Sequence, residues 1–298
     1  MSLKPPASSP KPLLLDGATG TELGRRGVDL SLPLWSARAL LEAPDVLQAV
    51  HRDYFVAGAQ AVTANTFRTH RRSLAKAGMG HRGADLTRLA VEIAKTARDE
   101  HKPDGLVLGS VAPLEDCYQP ALAPDEATCR AEHAEMIGHL LDAGVDFVLI
   151  ETMNNLPEAR AAAQQAQRLA PDKWIISFCT KSLGPAGILL SDEPLSDLLC
   201  ELHDAYAVGV NCVAASSIEA QVRFLRDALP NHVRIIAYAN ISYADEAGNW
   251  VVTDAVDPAQ YAQYAQRWIH AGAAIIGGCC GTTPGTIQAI ADRLIRAR

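Results

Sequence analysis

Short runs of apolar, mostly β-branched residues recur along the chain, each followed by a longer stretch in which apolar positions return every three or four residues. Runs of this kind read as strands buried on both faces and the longer stretches as amphipathic helices. Eight runs are visible: "PLLLDG" (12–17), "AQAVTANTF" (59–67), "GLVLGSVAP" (105–113), "DFVLIETM" (146–153), "KWIISFCT" (173–180), "AVGVNCV" (207–213), "VRIIAYAN" (233–240) and "AAIIGGCCG" (273–281). Between them, stretches such as 73–101 and "PEARAAAQQAQRLA" (157–170) carry the Ala, Leu, Arg and Glu of good helix formers. Strict strand–helix alternation predicts a parallel sheet.

Eight such units match a single-domain α/β fold, the (β/α)8 TIM barrel of roughly 250 residues plus insertions. The expected domain covers residues 13–298, preceded by a flexible arm at 1–12, "MSLKPPASSPKP", whose first three residues read as a possible cloning remnant. A doubly wound open sheet is the alternative. Its Gly-x-Gly-x-x-Gly fingerprint is missing after the first strand, which ends in "DGATG". In a barrel the residues at strand C-termini converge on one face, where the chemistry sits. The strand ends offer Asp16, the run from Thr63 to Thr66, Ser110, Glu151, Cys179, Thr180, Asn211, Cys212, Asn240, Cys279 and Cys280.

The 298 residues are 48% hydrophobic and 20% charged, with a formal net charge of −7. An acidic balance argues against nucleic acid or anionic membrane as partner, because both are bound by clustered Lys and Arg. No apolar run approaches the roughly 20 residues of a bilayer span and the N-terminus lacks a signal-peptide core, so a cytoplasmic enzyme of small molecules is expected. Seven cysteines, an odd number without dense spacing, do not suggest a disulfide framework.

Cys212 closes the sixth run and the adjacent pair Cys279 and Cys280 closes the eighth, so a barrel brings three thiols together across 67 residues (279 − 212). Three thiolates suit zinc, which takes sulfur at about 2.3 Å in tetrahedral geometry and in catalytic sites keeps one open position. Neighbouring residues of a strand point to opposite faces, so both can reach one ion only where the backbone leaves the strand; Gly277, Gly278 and Gly281 give that freedom. Thr282 or Thr283 can cap the following helix, with Pro284 in its first turn. Two other readings stay open on the pattern alone: a glycine loop binding phosphate at a helix N-terminus, as in a barrel lyase or aldolase, and cysteines that merely pack.

The segments "LLDGATGTEL" (14–23), "LPLWSARALLEAPDVLQAVHRDYFVAGA" (32–59), "LIETM" (149–153), "GVNC" (209–212) and "GGCCGTTP" (277–284) resemble the homocysteine S-methyltransferase family over residues 13–296. The resemblance implies a zinc-dependent barrel that moves a methyl group onto the sulfur of homocysteine, giving methionine. It implies Cys212, Cys279 and Cys280 as zinc ligands, the fourth position holding homocysteine as a thiolate that a free thiol of pKa about 8.5 does not supply at neutral pH. No general base beyond the zinc is then required.

Asp16 and Glu151 are the natural partners of the substrate ammonium, and the resemblance points to the same two. Asp16 also reads as a turn residue leading into Thr19 and Glu22, which have capping-box spacing. Asn240 is expected to hydrogen-bond the amino-acid end; Ala239 stands where many members resemble "YPN", which predicts a looser loop. Thr63 and Asn65 lie at the second strand end. Trp35 resembles the family position near the substrate, where an aromatic face favours a methyl-bearing cation. Cys179 and His51 are expected to be structural.

The donor is read from what the chain lacks and from one cation. It shows no adenosyl fingerprint and no corrinoid or folate module, which favours a small donor, S-methylmethionine, with a separate corrinoid protein or a selenol acceptor as alternatives. "TANTF" is similar to the branch containing corrinoid- and betaine-dependent members, but Arg68 stands where betaine users have tyrosine. The run "RTHRR" (68–72) opens a helix with cations that oppose its dipole. Arg68 or Arg71 is therefore expected to meet a substrate carboxylate.

Overall fold

The computed structural model describes residues 11–244 and 250–296. The arm expected over 1–12 lies outside these residues except for its last two, as do residues 297 and 298. All eight apolar runs form parallel strands. Seven come first: β1 (Leu13–Leu14), β2 (Ala61–Ala64), β3 (Leu106–Val111), β4 (Phe147–Met153), β5 (Trp174–Phe178), β6 (Ala207–Ala214) and β7 (Arg234–Asn240). A small antiparallel pair, β8 (Ser242–Ala244) with β9 (Trp250–Val252), precedes the last barrel strand, β10 (Ala273–Gly278).

Around the ring the order is β1-β10-β7-β6-β5-β4-β3-β2. A parallel bridge between Leu15 and Ala61 joins its two ends, with Asp16 N donating to Ala61 O at 3.0 Å. The chain is thus a (β/α)8 barrel.

The pleat sorts each strand between two apolar environments. Leu108, Leu149, Ile175, Ile236 and Ile275 fill the barrel interior, while their neighbours Val107, Val148, Ile150, Ile176, Ile235 and Ile276 pack outward beneath the helices. Burial on both sides is why the runs are continuous rather than alternating. Continuing the inward alternation toward the C-terminal ends replaces apolar residues by Thr63, Ser110, Glu151, Ser177, Asn211 and Tyr238. A polar belt therefore caps the apolar lumen.

The outer layer contains the helices Pro44–Val56, Gly83–His101, Glu126–Ala143, Leu156–Leu169, Ala215–Ala228, Pro258–Ala271 and Pro284–Arg296. Asn155 and Asp125 cap two of them, accepting from Glu158 N at 2.9 Å and Thr128 N at 3.0 Å. Among the described residues no helix is long and apolar enough to cross a membrane.

Three local expectations are corrected. The stretch 73–101 is not one helix: a turn of helix at Arg71–Ala75 ends, Gly78 takes φ 73°, and the long helix starts at Gly83. Between β5 and β6 no long helix forms; Gly184, Pro185, Gly187 and Pro194 interrupt the segment, which keeps only the turn Ser196–Leu199 and isolated bridges such as Thr180 to Leu189. The capping box at Thr19 and Glu22 is also absent. Ala18 occupies the N-cap and Glu22 instead pairs with Arg25 and Arg26, at 3.2 and 3.0 Å.

Candidate metal centre and the pocket around it

The ends of β6 and β10 bring Cys212, Cys279 and Cys280 together, their sulfurs all within 4.8 Å of one another. The backbone reaches this arrangement in two ways. Cys212 takes φ 60°, a left-handed conformation that a side chain normally disfavours by 1–2 kcal/mol or so. The β6–β7 register shifts between Asn211 and Ala214, and this bulge turns the Cys212 side chain toward β10. After the pair, Gly281 takes φ 85°, and a Cβ there would lie 2.3 Å from Ile241. Gly278 serves by its size: a Cβ on it would stand 2.3 Å from the Thr282 hydroxyl.

A network holds the loop. Cys279 N donates to Ala239 O (2.9 Å), and Cys280 N to Asn240 Oδ1 (3.0 Å). Thr282 donates its hydroxyl to Cys279 O (2.7 Å), and Arg25 donates to the carbonyls of Gly281 and Thr282. Of the two threonines expected to cap the next helix it is Thr283 that does so, its hydroxyl accepting from Thr286 N at 3.2 Å.

The electrostatics of the cluster fit a cation. The Cys212 thiol is held well below the usual range because the thiols of Cys279 and Cys280 donate to it, assisted by Tyr118 and Asn240 and opposed by burial; its two neighbours are pushed up. Tyr118 Oη lies 2.9 Å from Cys212 Sγ, with Asn240 Nδ2 3.4 Å from the same oxygen. One negative charge shared by three sulfurs is the arrangement a soft divalent ion completes by replacing the two remaining protons. A zinc–sulfur length of about 2.3 Å implies sulfur–sulfur edges of about 3.8 Å in a tetrahedron. Sub-ångström inward shifts of these side chains reach it.

Ala239 does not loosen the loop. Its N–H, which a proline would lack, donates to Tyr261 Oη at 3.0 Å, while that hydroxyl also lies 2.9 and 3.0 Å from the carbonyls of Ala239 and Gly277. Tyr261 staples β7 to β10 under the cysteine pair.

Both predicted carboxylates are buried in the same mouth. Asp16 accepts from Thr63 N (2.8 Å) and the Thr63 hydroxyl (3.3 Å); burial raises its pKa from 3.8 to about 8, helped by Glu151 and opposed by these hydrogen bonds. Glu151 accepts from Ser110 and from Tyr238 Oη (3.1 Å); burial raises it from 4.5 to about 7 against those bonds. Behind it, Ser177 lies 2.6 Å from Tyr238 Oη and donates to Asn211 Oδ1 at 2.7 Å. Asn211 in turn bonds Thr152, whose φ is 64°, through both its amide and its carbonyl. A cation entering beside carboxylates whose pKa burial has raised favours their ionised form.

The remaining predicted residues separate. Asn65 is buried and donates to Ser36 O at 2.8 Å, so it ties β2 to the segment around Trp35. Trp35, half-buried at φ 47°, packs edge-on against Phe67 with ring centroids 5.8 Å apart. Arg68 lies over the other aromatic partner, 5.5 Å from the Phe67 centroid. Arg71 does not face a substrate: it pairs with Glu135 at 2.8 Å on an exposed face. Cys179 is buried, its thiol 3.7 Å from Cys212 O, and His51 is wholly buried with its pKa lowered to about 4 by that burial; both are structural, as expected.

Tyr118, Ser177, Tyr238 and Tyr261 were not among the residues picked out from sequence. Tyr238 is two positions before Asn240 on the inward face, so period-two counting finds it. Tyr118 lies in an irregular loop, where no periodicity points to it.

The homocysteine S-methyltransferase family model matches residues 13–294. Homocysteine S-methyltransferase of Escherichia coli (strain K12) is 34% identical over 306 residues, covering 94% of each sequence. Selenocysteine Se-methyltransferase of Brassica oleracea var. italica is 28% identical over 317 residues, covering 96% of this chain and 89% of that one. Among solved structures, the metallated form of the homocysteine methyltransferase MmuM from Escherichia coli superposes with a TM-score of 0.82 at 31% identity, over 95% of this chain and 96% of the other. Its apo form gives 0.72.

Proposed function

The chain belongs to the homocysteine S-methyltransferase family, and on that premise we propose that it is a zinc enzyme that draws its methyl group from S-methylmethionine. Methyl transfer to the sulfur of homocysteine is the activity; the metal's identity, the donor and the residue roles are our reading. One observation carries it: three cysteine sulfurs within 4.8 Å at the barrel mouth, one of them already favoured as thiolate. That a relative of this fold has been solved in a metallated form supports a metal there.

Cys212, Cys279 and Cys280 would hold the ion, which when bound supplies a Lewis-acid position that keeps the substrate sulfur unprotonated at neutral pH. The chain's own residues do the rest. Asp16 and Glu151 take the homocysteine ammonium, and Thr63, Ser110 and Tyr238 aim them. Asn240 gives its carbonyl to Cys280 N, so we assign it to positioning the loop rather than to the amino-acid end. Trp35 offers an aromatic face to the sulfonium. The methyl carbon leaves the donor sulfur, whose bonding pair stays behind to make a thioether, and bonds the acceptor sulfur; the thiol proton goes to solvent. Catalysis is then mainly alignment.

A selenol acceptor is a second reading, favoured by the presence of selenocysteine methyltransferases among the relatives. The phosphate-binding lyase reading is not supported, since three thiols and two buried carboxylates offer nothing to a phosphate. We place the protein in the cytoplasm, in keeping with its free cysteines.

Purified protein given homocysteine with S-methylmethionine, betaine or a methylated corrinoid tests the donor. We expect methionine from S-methylmethionine; turnover with only the corrinoid would overturn that part of the proposal.

A further inference from the structure

Four cations follow β2, and three are paired. Arg71 meets Glu135 at 2.8 Å, Arg72 meets Glu132 and Glu115 at 2.6 and 3.3 Å, and Lys76 meets Glu115. Arg68 differs. It is half-buried, no carboxylate among the described residues pairs with it, and its Nε is buried without a hydrogen-bond partner. The side chain is nonetheless held, with its guanidinium over the Phe67 ring, which in turn packs on Trp35.

A half-enclosed guanidinium with an unmet donor is unfavourable until an acceptor arrives, and its planar fork matches a carboxylate. Its place fits a ligand of the methyl-transfer site. Arg68 stands five residues past Thr63, which holds Asp16, and its charge lowers the pKa of the Cys117 thiol against the stronger effect of burial. Cys117 adjoins Tyr118, whose hydroxyl touches Cys212. Trp35 in turn packs over Gly20, where a Cβ would lie 2.5 Å from its ring, so the guanidinium and the two rings form a chain of contacts ending four residues past Asp16.

We propose that Arg68 binds the carboxylate of the methyl donor, so that the donor class is a zwitterion carrying a methylated sulfonium at one end and a carboxylate at the other. The Trp35 ring faces the onium end, while Phe67 carries the guanidinium. This rests on the small-donor reading above. It adds the residue that would select an amino-acid donor over a simple alkyl sulfonium.

The test uses the zinc-loaded enzyme, Arg68→Gln and Arg68→Lys, with S-methylmethionine and its decarboxylated analogue as donors. Circular dichroism and metal content serve as folding controls. In the wild type, kcat/KM favours the carboxylate-bearing donor; in Arg68→Gln that preference falls about ten- to a hundredfold, the loss lying in KM for the donor, while KM for homocysteine stays within about twofold. Arg68→Lys restores part of it. Calorimetric titration with S-methylmethionine shows the same loss of affinity. An unchanged donor preference in Arg68→Gln overturns the proposal, and so does a rise in KM for homocysteine alone, which moves the carboxylate contact to the acceptor. If the wild type uses neither sulfonium, the donor reading itself has failed, and this role with it; if wild type and Arg68→Gln use both alike, only Arg68 is misassigned.

Discussion

Asn240 Oδ1 accepts the backbone N–H of Cys280 at 3.0 Å, while the same side chain's Nδ2 lies 3.4 Å from Tyr118 Oη, itself 2.9 Å from Cys212. One amide thus spans both halves of the thiol cluster, fixing the Cys280 backbone from below and the hydroxyl that faces Cys212. Groups that orient ligands in this way usually change metal affinity by about 10- to 100-fold when removed. Asn240→Ala should weaken zinc retention by that order in a chelator competition, with the fold intact. Unchanged retention would mean that the cluster is positioned by Gly281 and Tyr261 alone.

Burial of Asp16 has a consequence for stability. The folded protein keeps its proton up to about pH 8, whereas an unfolded aspartate loses it near its ordinary 3.8. Between these values the folded state binds more protons, so this residue's contribution falls as pH rises. Asp16→Asn stays neutral at every pH and still accepts from Thr63 N. In metal-free, substrate-free protein we expect the Tm of the wild type to drop more steeply from pH 5 to 8.5 than that of the variant. At pH 8.5 the variant should melt about 2 °C or more above the wild type, while its KM for homocysteine rises. Parallel melting curves would show that Asp16 is ionised in the folded, empty site.

Substituting proline at Ala239 gives the "YPN" that the family resemblance led one to expect, yet it should destabilise this chain. The Ala239 N–H donates to Tyr261 Oη, and proline has no N–H to give. Losing one buried bond of this kind costs about 1 kcal/mol, or roughly 2 °C in a chain of this size. Ala239→Pro should show that drop in calorimetry, and the drop should vanish in a Tyr261→Phe background. An increase in Tm with Tyr261 present would contradict the role given to this hydroxyl.

The barrel was legible because strands buried on both faces leave unbroken apolar runs, and eight runs separated by helices leave few topologies. The thiol cluster was legible for a related reason: in a barrel, Cys212 and Cys279 converge although 67 residues separate them. The conformations that make the convergence work were not. Nothing in "GVNC" announces that Cys212 will take a positive φ, which depends on the bulge against β7 and on Asn211 bonding Thr152 across from β4. Tyr118 was hidden because loops carry no period, and the break in the helix after Ala75 because Gly78 and Gly80 each read as tolerable within a helix. Ala239 was misread through the family resemblance. What compensates for the missing proline is a tyrosine 22 positions later.

The most direct measurement is the metal content of purified protein, wild type and Cys280→Ser, with methionine formation assayed on the same samples. Three sulfurs from Cys212, Cys279 and Cys280 should retain about one zinc per chain. Cys280→Ser should lose most of it and the activity together, with added zinc restoring little. Wild-type protein that forms methionine with no bound zinc, or a Cys280→Ser variant that keeps both metal and activity, would contradict the assignment.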